Sequence, residues 1–299
     1  MKKIIDLIKC HTGISIQKIE PLDQGYTEDS KYLLVDDSNK MYLLRQSKGE
    51  RVTNSRFEQQ VLKKLETDSF PTQRVVSSFE DQDSYYLLLT WIKGIPLDQV
   101  IDSLDDETQY QLGVKAGSIL KKIHTLLSST DSLDHLMKRK WKELIEPIDL
   151  KDYQKEINAC YNYAIKYFHD LEGHAAVIEH SDFHLGNLIY HEGDITCIDF
   201  NGSHVGIIYD EFYKLELFDY EHSLHYINGF VDTYTKDLDK TKFFRIHKVL
   251  LAIACLNSIR YGLKQDKKVL DLEIQRMKRV LINYQNFEAL FPSWLIKKG

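Results

Sequence analysis

The 299 residues carry 39 Lys and Arg against 45 Asp and Glu, a formal net charge of -6, with 43% hydrophobic and 28% charged residues. That length supports two lobes with cores of their own and falls short of a large multidomain assembly. The acidic balance, without a basic and aromatic cluster, argues against nucleic acid as the main partner. From the start of the chain, Ile4, Ile5, Leu7 and Ile8 fall on one face of a short helix that should stop near Gly13. Apolar runs at 31–35 and 41–45 flank Asp36-Asp37-Ser38-Asn39-Lys40, a loop composition, and predict a hairpin. A helix follows at 54–65 with Phe57, Val61, Leu62 and Leu65 on one face. Two more strands, 75–79 and 85–90, are separated by the acidic turn Glu80-Asp81-Gln82-Asp83.

After Trp91-Ile92-Lys93-Gly94-Ile95-Pro96 the pattern changes to long helical periodicity. Leu112, Ala116, Ile119, Leu120, Ile123 and Leu127 define a helix through about 105–128, and a second amphipathic stretch covers 153–171. Further helices are expected near 211–236, 241–264 and 267–285. The Gly and Pro near 94 punctuate an apolar run, which sets a lobe boundary there: 1–93 and 94–299. The fold class is therefore α+β, with an antiparallel sheet plus helix in the N-lobe and a mostly helical C-lobe.

Cys10, Cys160, Cys197 and Cys255 are far apart, with no C-x-x-C pair, which fits neither a zinc site nor a disulfide framework. Asp6 and Lys9 interrupt what would be the apolar region of a signal peptide, and no run approaches the roughly 18 apolar residues of a membrane span. A cytoplasmic protein without a membrane partner, monomeric or dimeric, is the expectation.

The segment 180–200 holds the chemistry. Short β-prone runs at 188–191 and 195–198 are joined through Glu192-Gly193-Asp194 and predict a hairpin. If His191 pairs with Ile195, that register sets Asn187 opposite Asp199. Paired residues on antiparallel strands have Cα atoms roughly 4.5 to 5.5 Å apart, so an amide oxygen and a carboxylate can share one Mg²⁺. Asp182 lies five residues before Asn187 on a Gly-containing loop and can point at a hydroxyl. The plainer alternative makes Asp182 and Asn187 turn formers and Asp199 a strand cap; the spacing of all three together favours the site.

His180-Ser181-Asp182-Phe183-His184-Leu185-Gly186-Asn187, followed by Ile198-Asp199-Phe200, resembles the aminoglycoside phosphotransferase and choline kinase superfamily, where H-G-D-x-H-x-x-N and I-D-F are usual. The order of elements likewise resembles the protein-kinase-like two-lobed fold. The resemblance implies that Asp182 is the catalytic base and that Asn187 and Asp199 bind magnesium alongside the nucleotide's phosphates. Arg45 stands where the best-known kinases have a strand lysine, with Glu58 in the next helix to orient it toward the α- or β-phosphate; a surface arginine and a solvated glutamate are the alternative. Lys48 is a weaker candidate for the same role. Gly25 lies in 23–30, where a nucleotide-covering loop belongs, although an ordinary hairpin loop reads equally well. Trp91 and Ile92 fall at the hinge expected to meet the purine. His180 and His124 are expected to brace by packing or hydrogen bonds, and the His180/His184 pair reads poorly as zinc ligands. Ser181 replaces the superfamily's usual Gly.

On the acceptor side, 209–221 contains five carboxylates and one lysine. In aminoglycoside-modifying relatives an acidic cleft in this part binds polycationic sugars, which makes Asp210 and Glu211 substrate candidates; a solvated acidic helix face is the alternative. The usual D-P-x-x-D-L is not matched here. The implied activity is transfer of the γ-phosphoryl of ATP or GTP to a hydroxyl of a small polar or cationic substrate, with an aminoglycoside-type antibiotic leading. Choline-like amines, homoserine-like amino acids, thiosugars and macrolides are rivals, as is a nucleotide-binding regulator without catalysis. Neither D-F-G nor A-P-E marks a protein kinase.

Overall fold

Five strands, β1 (Ile16–Leu22), β2 (Ser30–Asp36), β3 (Met41–Lys48), β4 (Val75–Asp81) and β5 (Ser84–Thr90), pair antiparallel in the order β1-β2-β3-β5-β4. The computed structural model describes residues 1–22, 29–66, 70–130 and 132–296. Gly25, with the loop around it, lies outside the described residues. Two compact units emerge, Met1–Ile95 with Asn187–Ser203, and Pro96–Gly186 with His204–Gly299. The segment 187–203, which interrupts the second unit in chain order, thus groups with the sheet.

Within the first unit, alternation divides the sheet into two faces. Leu34, Tyr42, Leu44, Phe79, Tyr86 and Leu88 form one core cluster with Ile8 from helix α1 (Lys2–Thr12). Lys31, Arg45 and Leu87 form a row across the sheet through the pairings Lys31↔Arg45 and Arg45↔Leu87. Helix α2 (Arg51–Leu65) buries Ser55, Glu58, Val61, Leu62 and Leu65, a helical stripe that places one carboxylate among apolar neighbours. Beyond β6 (Ile95–Pro96), the chain enters the second unit.

That second unit is mostly helical: α3 (Asp106–Leu126), α4 (Asp134–Ile145), α5 (Gln154–Tyr167), α6 (Tyr213–Leu217), α7 (Leu224–Tyr234), α8 (Lys240–Leu263) and α9 (Lys267–Asn283). Four of these helices begin on side-chain caps, Asp105, Ser223, Asp239 and Asp266, each accepting a backbone N–H of the first turn. Helices α3 and α7 approach closely because a Cβ on Gly113 would lie 2.0 Å from the Tyr226 carbonyl oxygen. Helix α4 escaped the periodicity reading, since only Leu136 and Leu144 are buried in it and the rest is rich in Lys and Arg. A short strand β7 (Val177–Glu179) pairs with a strand at His204–Gly206 and delivers the chain into the loop that begins at His180.

Candidate active site

The loop after β7 is held by carboxylates that reach its backbone. Glu211 Oε1 accepts the N–H of Ser181 at 2.6 Å, and its Oε2 accepts those of His180 at 3.2 Å and of the His124 ring Nε2 at 2.7 Å. The Tyr234 hydroxyl closes the chain on His124 Nδ1 at 2.6 Å. Burial alone would raise the Glu211 pKa, but His124 and the Ser181 N–H outweigh it and hold the group ionised. Asp219 Oδ1 accepts the N–H of Leu185 at 3.1 Å. Ser181 has φ of 68°, the left-handed backbone that explains why glycine is the easier residue there.

On this loop Asp182 carries the exposed carboxylate. Lys214 from α6 pairs with its Oδ1, and His184 Nε2 lies 3.5 Å from the same oxygen. The N–H of Gly186 donates to His184 Nδ1 at 3.0 Å, so a neutral His184 keeps its proton on the nitrogen facing Asp182. Burial would raise the Asp182 pKa; the His184 hydrogen bond and the Lys214 ammonium overcome that and hold it well below the usual carboxylate range. Asp182 is therefore an anion.

The substrate assignments of Asp210 and Glu211 need correcting. Both are buried: Glu211 is consumed by the loop, and Asp210 pairs with Lys140 at 2.7 Å. The dense acidic run reads as surface in one dimension, whereas Glu211 and Asp219 accept backbone N–H groups, Glu216 takes buried side-chain donors and Asp210 pairs with Lys140. Asp98 has the better disposition. Its Oδ1 is buried without a hydrogen-bond partner among the described residues, and its Oδ2 would lie 3.3 Å from a Cβ on Gly186.

In the first unit, strands β8 (Leu188–His191) and β9 (Asp194–Cys197) form the hairpin, with His191 paired to Asp194 and Leu188 to Cys197. The loop has two residues, Glu192 and Gly193, at φ of 51° and 86°, both left-handed as a type I′ turn demands. The register is therefore one residue off the expected one. Ile198 N donates to the Asn187 carbonyl at 3.0 Å, so Asn187 opposes Ile198 and not Asp199. Asp199 stands one step further, turned by φ of 67°.

Arg45 meets Glu58 through Nη1, and its Nη2 donates to Asp199 Oδ1 at 2.7 Å. The guanidinium is only 1% exposed, so it links helix α2 to Asp199 where sequence suggested a reach to phosphate. Lys31 Nζ reaches Asp199 Oδ2 at 3.3 Å; the sequence offered only an unremarked lysine in a strand. Asp29 pairs with Arg51 at 3.1 Å. Trp91 and Ile92 follow β5 half-buried, with Trp91 N donating to the Met41 carbonyl at 3.3 Å. Asn187 and Asp199 offer only oxygen side-chain acceptors, the donor type suited to Mg²⁺. Among the described residues no group of three His, Cys, Asp or Glu is placed to hold a metal.

Phosphoryl transfer to an alcohol is the chemistry that such a loop performs, and a phosphotransferase of kinase-like α+β fold is the class into which the chain falls. It belongs to the phosphotransferase enzyme family APH, whose family profile matches residues 18–244. No curated protein matches it in sequence. Solved structures share the fold at low identity. Spectinomycin phosphotransferase APH(9)-Ia, in complex with ADP and spectinomycin, superposes with a TM-score of 0.63 at 15% identity, covering 93% of this chain and 92% of that one. The gentamicin complex of APH(2")-IIa gives 0.63 at 18%, covering 93% and 96%. Macrolide 2'-phosphotransferase MphH from Brachybacterium faecium gives 0.60 at 12%, covering 93% and 98%.

Asp219 supplies a pH test of the loop's anchorage. Burial raises its pKa from 3.8 to about 7, despite the opposing pull of His184 and the Leu185 N–H. The folded state then retains a proton that the unfolded state loses, so this group's contribution makes stability fall as pH rises from about 4 to about 7. Asp219→Asn removes that contribution, by at most about 1.4 kcal/mol per pH unit. Urea midpoints of both proteins should lie closest near pH 4 and diverge toward neutral pH, the wild type falling relative to Asp219→Asn; parallel curves would show that Asp219 does not titrate there.

Proposed function

We propose that the protein transfers the γ-phosphoryl of ATP or GTP to a hydroxyl of a small polar or cationic molecule, an aminoglycoside-type compound being the first to test. The observation that carries this reading is Asp182, an ionised carboxylate oriented by His184 and Lys214 on a loop braced by Glu211. Asp182 orients the acceptor hydroxyl and takes up its proton as the new bond to phosphorus forms. Asn187 and Asp199 would hold Mg²⁺, which offsets the negative charge of the phosphates when bound. Arg45 keeps Asp199 in place, and the half-buried Trp91 and Ile92 flank the purine. Asp98, beside Gly186, is the carboxylate we assign to an acceptor ammonium in place of Asp210 and Glu211.

Support for a nucleotide comes from family membership, and the ADP named with a solved structure of the same fold concerns that enzyme. The cytoplasm, where nucleoside triphosphates abound, suits this activity; among the described residues no helix is long and apolar enough to cross a membrane. The deciding experiment couples ADP and GDP release to a panel of aminoglycosides, spectinomycin, macrolides, choline-like amines, homoserine and thiosugars, with the phosphorylated product identified by mass. Turnover of one class names the acceptor. Nucleotide binding with no product across the panel would favour a regulator.

A further inference from the structure

We propose that Lys31 on β2, and not Arg45 on β3, supplies the cation that contacts the nucleotide's phosphates, Arg45 remaining a buried positioning residue. This rests on the phosphoryl-transfer reading above and assigns the charge within it. The β2–β3 register sets Lys31 directly opposite Arg45. Like charges in that relation repel, so both depend on acidic partners. Asp199 serves the two at once, Oδ1 to Arg45 at 2.7 Å and Oδ2 to Lys31 at 3.3 Å.

What separates the two cations is what each would leave behind on moving. Arg45 is also the partner of Glu58, whose side chain is fully buried. Turning the guanidinium toward phosphate would strand that carboxylate in the core, where an unpaired charge is strongly destabilising. Lys31 carries no such debt. Its side chain is 13% exposed, and its hydrogen bond to Asp199 is the longer of the two. Asp199 keeps Arg45 as a partner if Lys31 turns away. An ammonium on a flexible stem is also a compact charge with three donors, able to follow phosphate oxygens that a clamped planar fork cannot. The four groups, Lys31, Arg45, Glu58 and Asp199, balance in charge, so an entering polyanion is better met by Lys31, the cation of this pair that can be redirected without stranding a buried carboxylate.

Lys31→Met keeps the apolar stem and removes the charge. Calorimetric binding to the full-length protein should show ADP weakened about tenfold or more, the scale of one charge-assisted hydrogen bond, with adenosine unchanged. Lys31→Arg should recover part of the ADP affinity, and the melting temperature of Lys31→Met should stay close to wild type. GDP with guanosine serves as the alternative pair if the protein prefers guanine. Equal weakening of nucleotide and nucleoside, or no change in either, would overturn the assignment while the kinase reading stands. A wild-type protein that binds neither nucleotide would overturn both.

Discussion

Asp182→Asn lowers kcat by about 10²- to 10⁴-fold and leaves nucleotide affinity within about twofold of wild type. The substitution keeps size and planarity but cannot accept a proton from the acceptor hydroxyl. Its expected form is a loss in kcat, because the proposed role places Asp182 at the hydroxyl and not at the nucleotide. The environment refines the role. Lys214 and His184 hold the carboxylate well below its ordinary pKa, which makes it a weak proton acceptor in the ground state. Proton uptake must then come late, as the alcohol oxygen bonds to phosphorus and its proton becomes acidic; before that point Asp182 orients the hydroxyl by hydrogen bonding. A corollary follows for the pH–rate profile: between pH 5 and 8 it should show no limb that disappears with Asp182→Asn. The direct check is steady-state kinetics and nucleotide titration on both proteins. A variant turning over within tenfold of wild type would remove Asp182 from the mechanism.

The sequence made the α+β order legible through period-2 and period-3.6 patterns, because burying one face of each element leaves that trace in composition. Three things were hidden. The hairpin register depended on whether the loop took two residues or three; Glu192-Gly193 lacks the Asn-Gly or Asp-Gly signal of a type I′ turn, yet Glu192 adopts the left-handed backbone. That one-residue difference moved Asn187 from opposite Asp199 to opposite Ile198. The acidic run at 210–221 hid its burial because only tertiary structure reveals which backbone donors need carboxylates; Glu211 and Asp219 serve the catalytic loop from 30 or more residues downstream. Lys31 was silent for the opposite reason. A lysine in a strand is ordinary until the ladder places it beside Arg45 and a shared carboxylate. Glu58 came from the resemblance, with a solvated glutamate as the alternative; its burial among Val61, Leu62 and Leu65 on α2 shows the physical signal that was overlooked, a charge on an apolar stripe that needs a partner.

Arg45→Met should destabilise the protein by about 3 to 5 kcal/mol, the scale for removing one partner of a buried ion pair. The loss arises chiefly from Glu58, left fully buried without its guanidinium, and secondarily from Asp199, which retains Lys31. The double variant Arg45→Met with Glu58→Met should regain most of that loss, since apolar side chains of similar volume suit the interface between β3 and α2. The pH dependence identifies the cause. Burial already raises the Glu58 pKa from 4.5 to about 7, with Arg45 pulling the other way. Without Arg45 it rises further, so folded Arg45→Met holds a proton above pH 7 that the unfolded chain lacks. Stability of the single variant therefore keeps falling as pH rises beyond 7, where the wild-type contribution of Glu58 has levelled off. Urea unfolding at pH 6 and pH 8.5 should show the single variant's deficit widening at the higher pH and the double variant's deficit narrowing, because the wild type still loses Glu58's contribution up to about pH 7 and the double variant has none to lose. A deficit independent of pH, or a double variant no more stable than the single, would mean that Arg45 stabilises the fold by packing and not by neutralising Glu58.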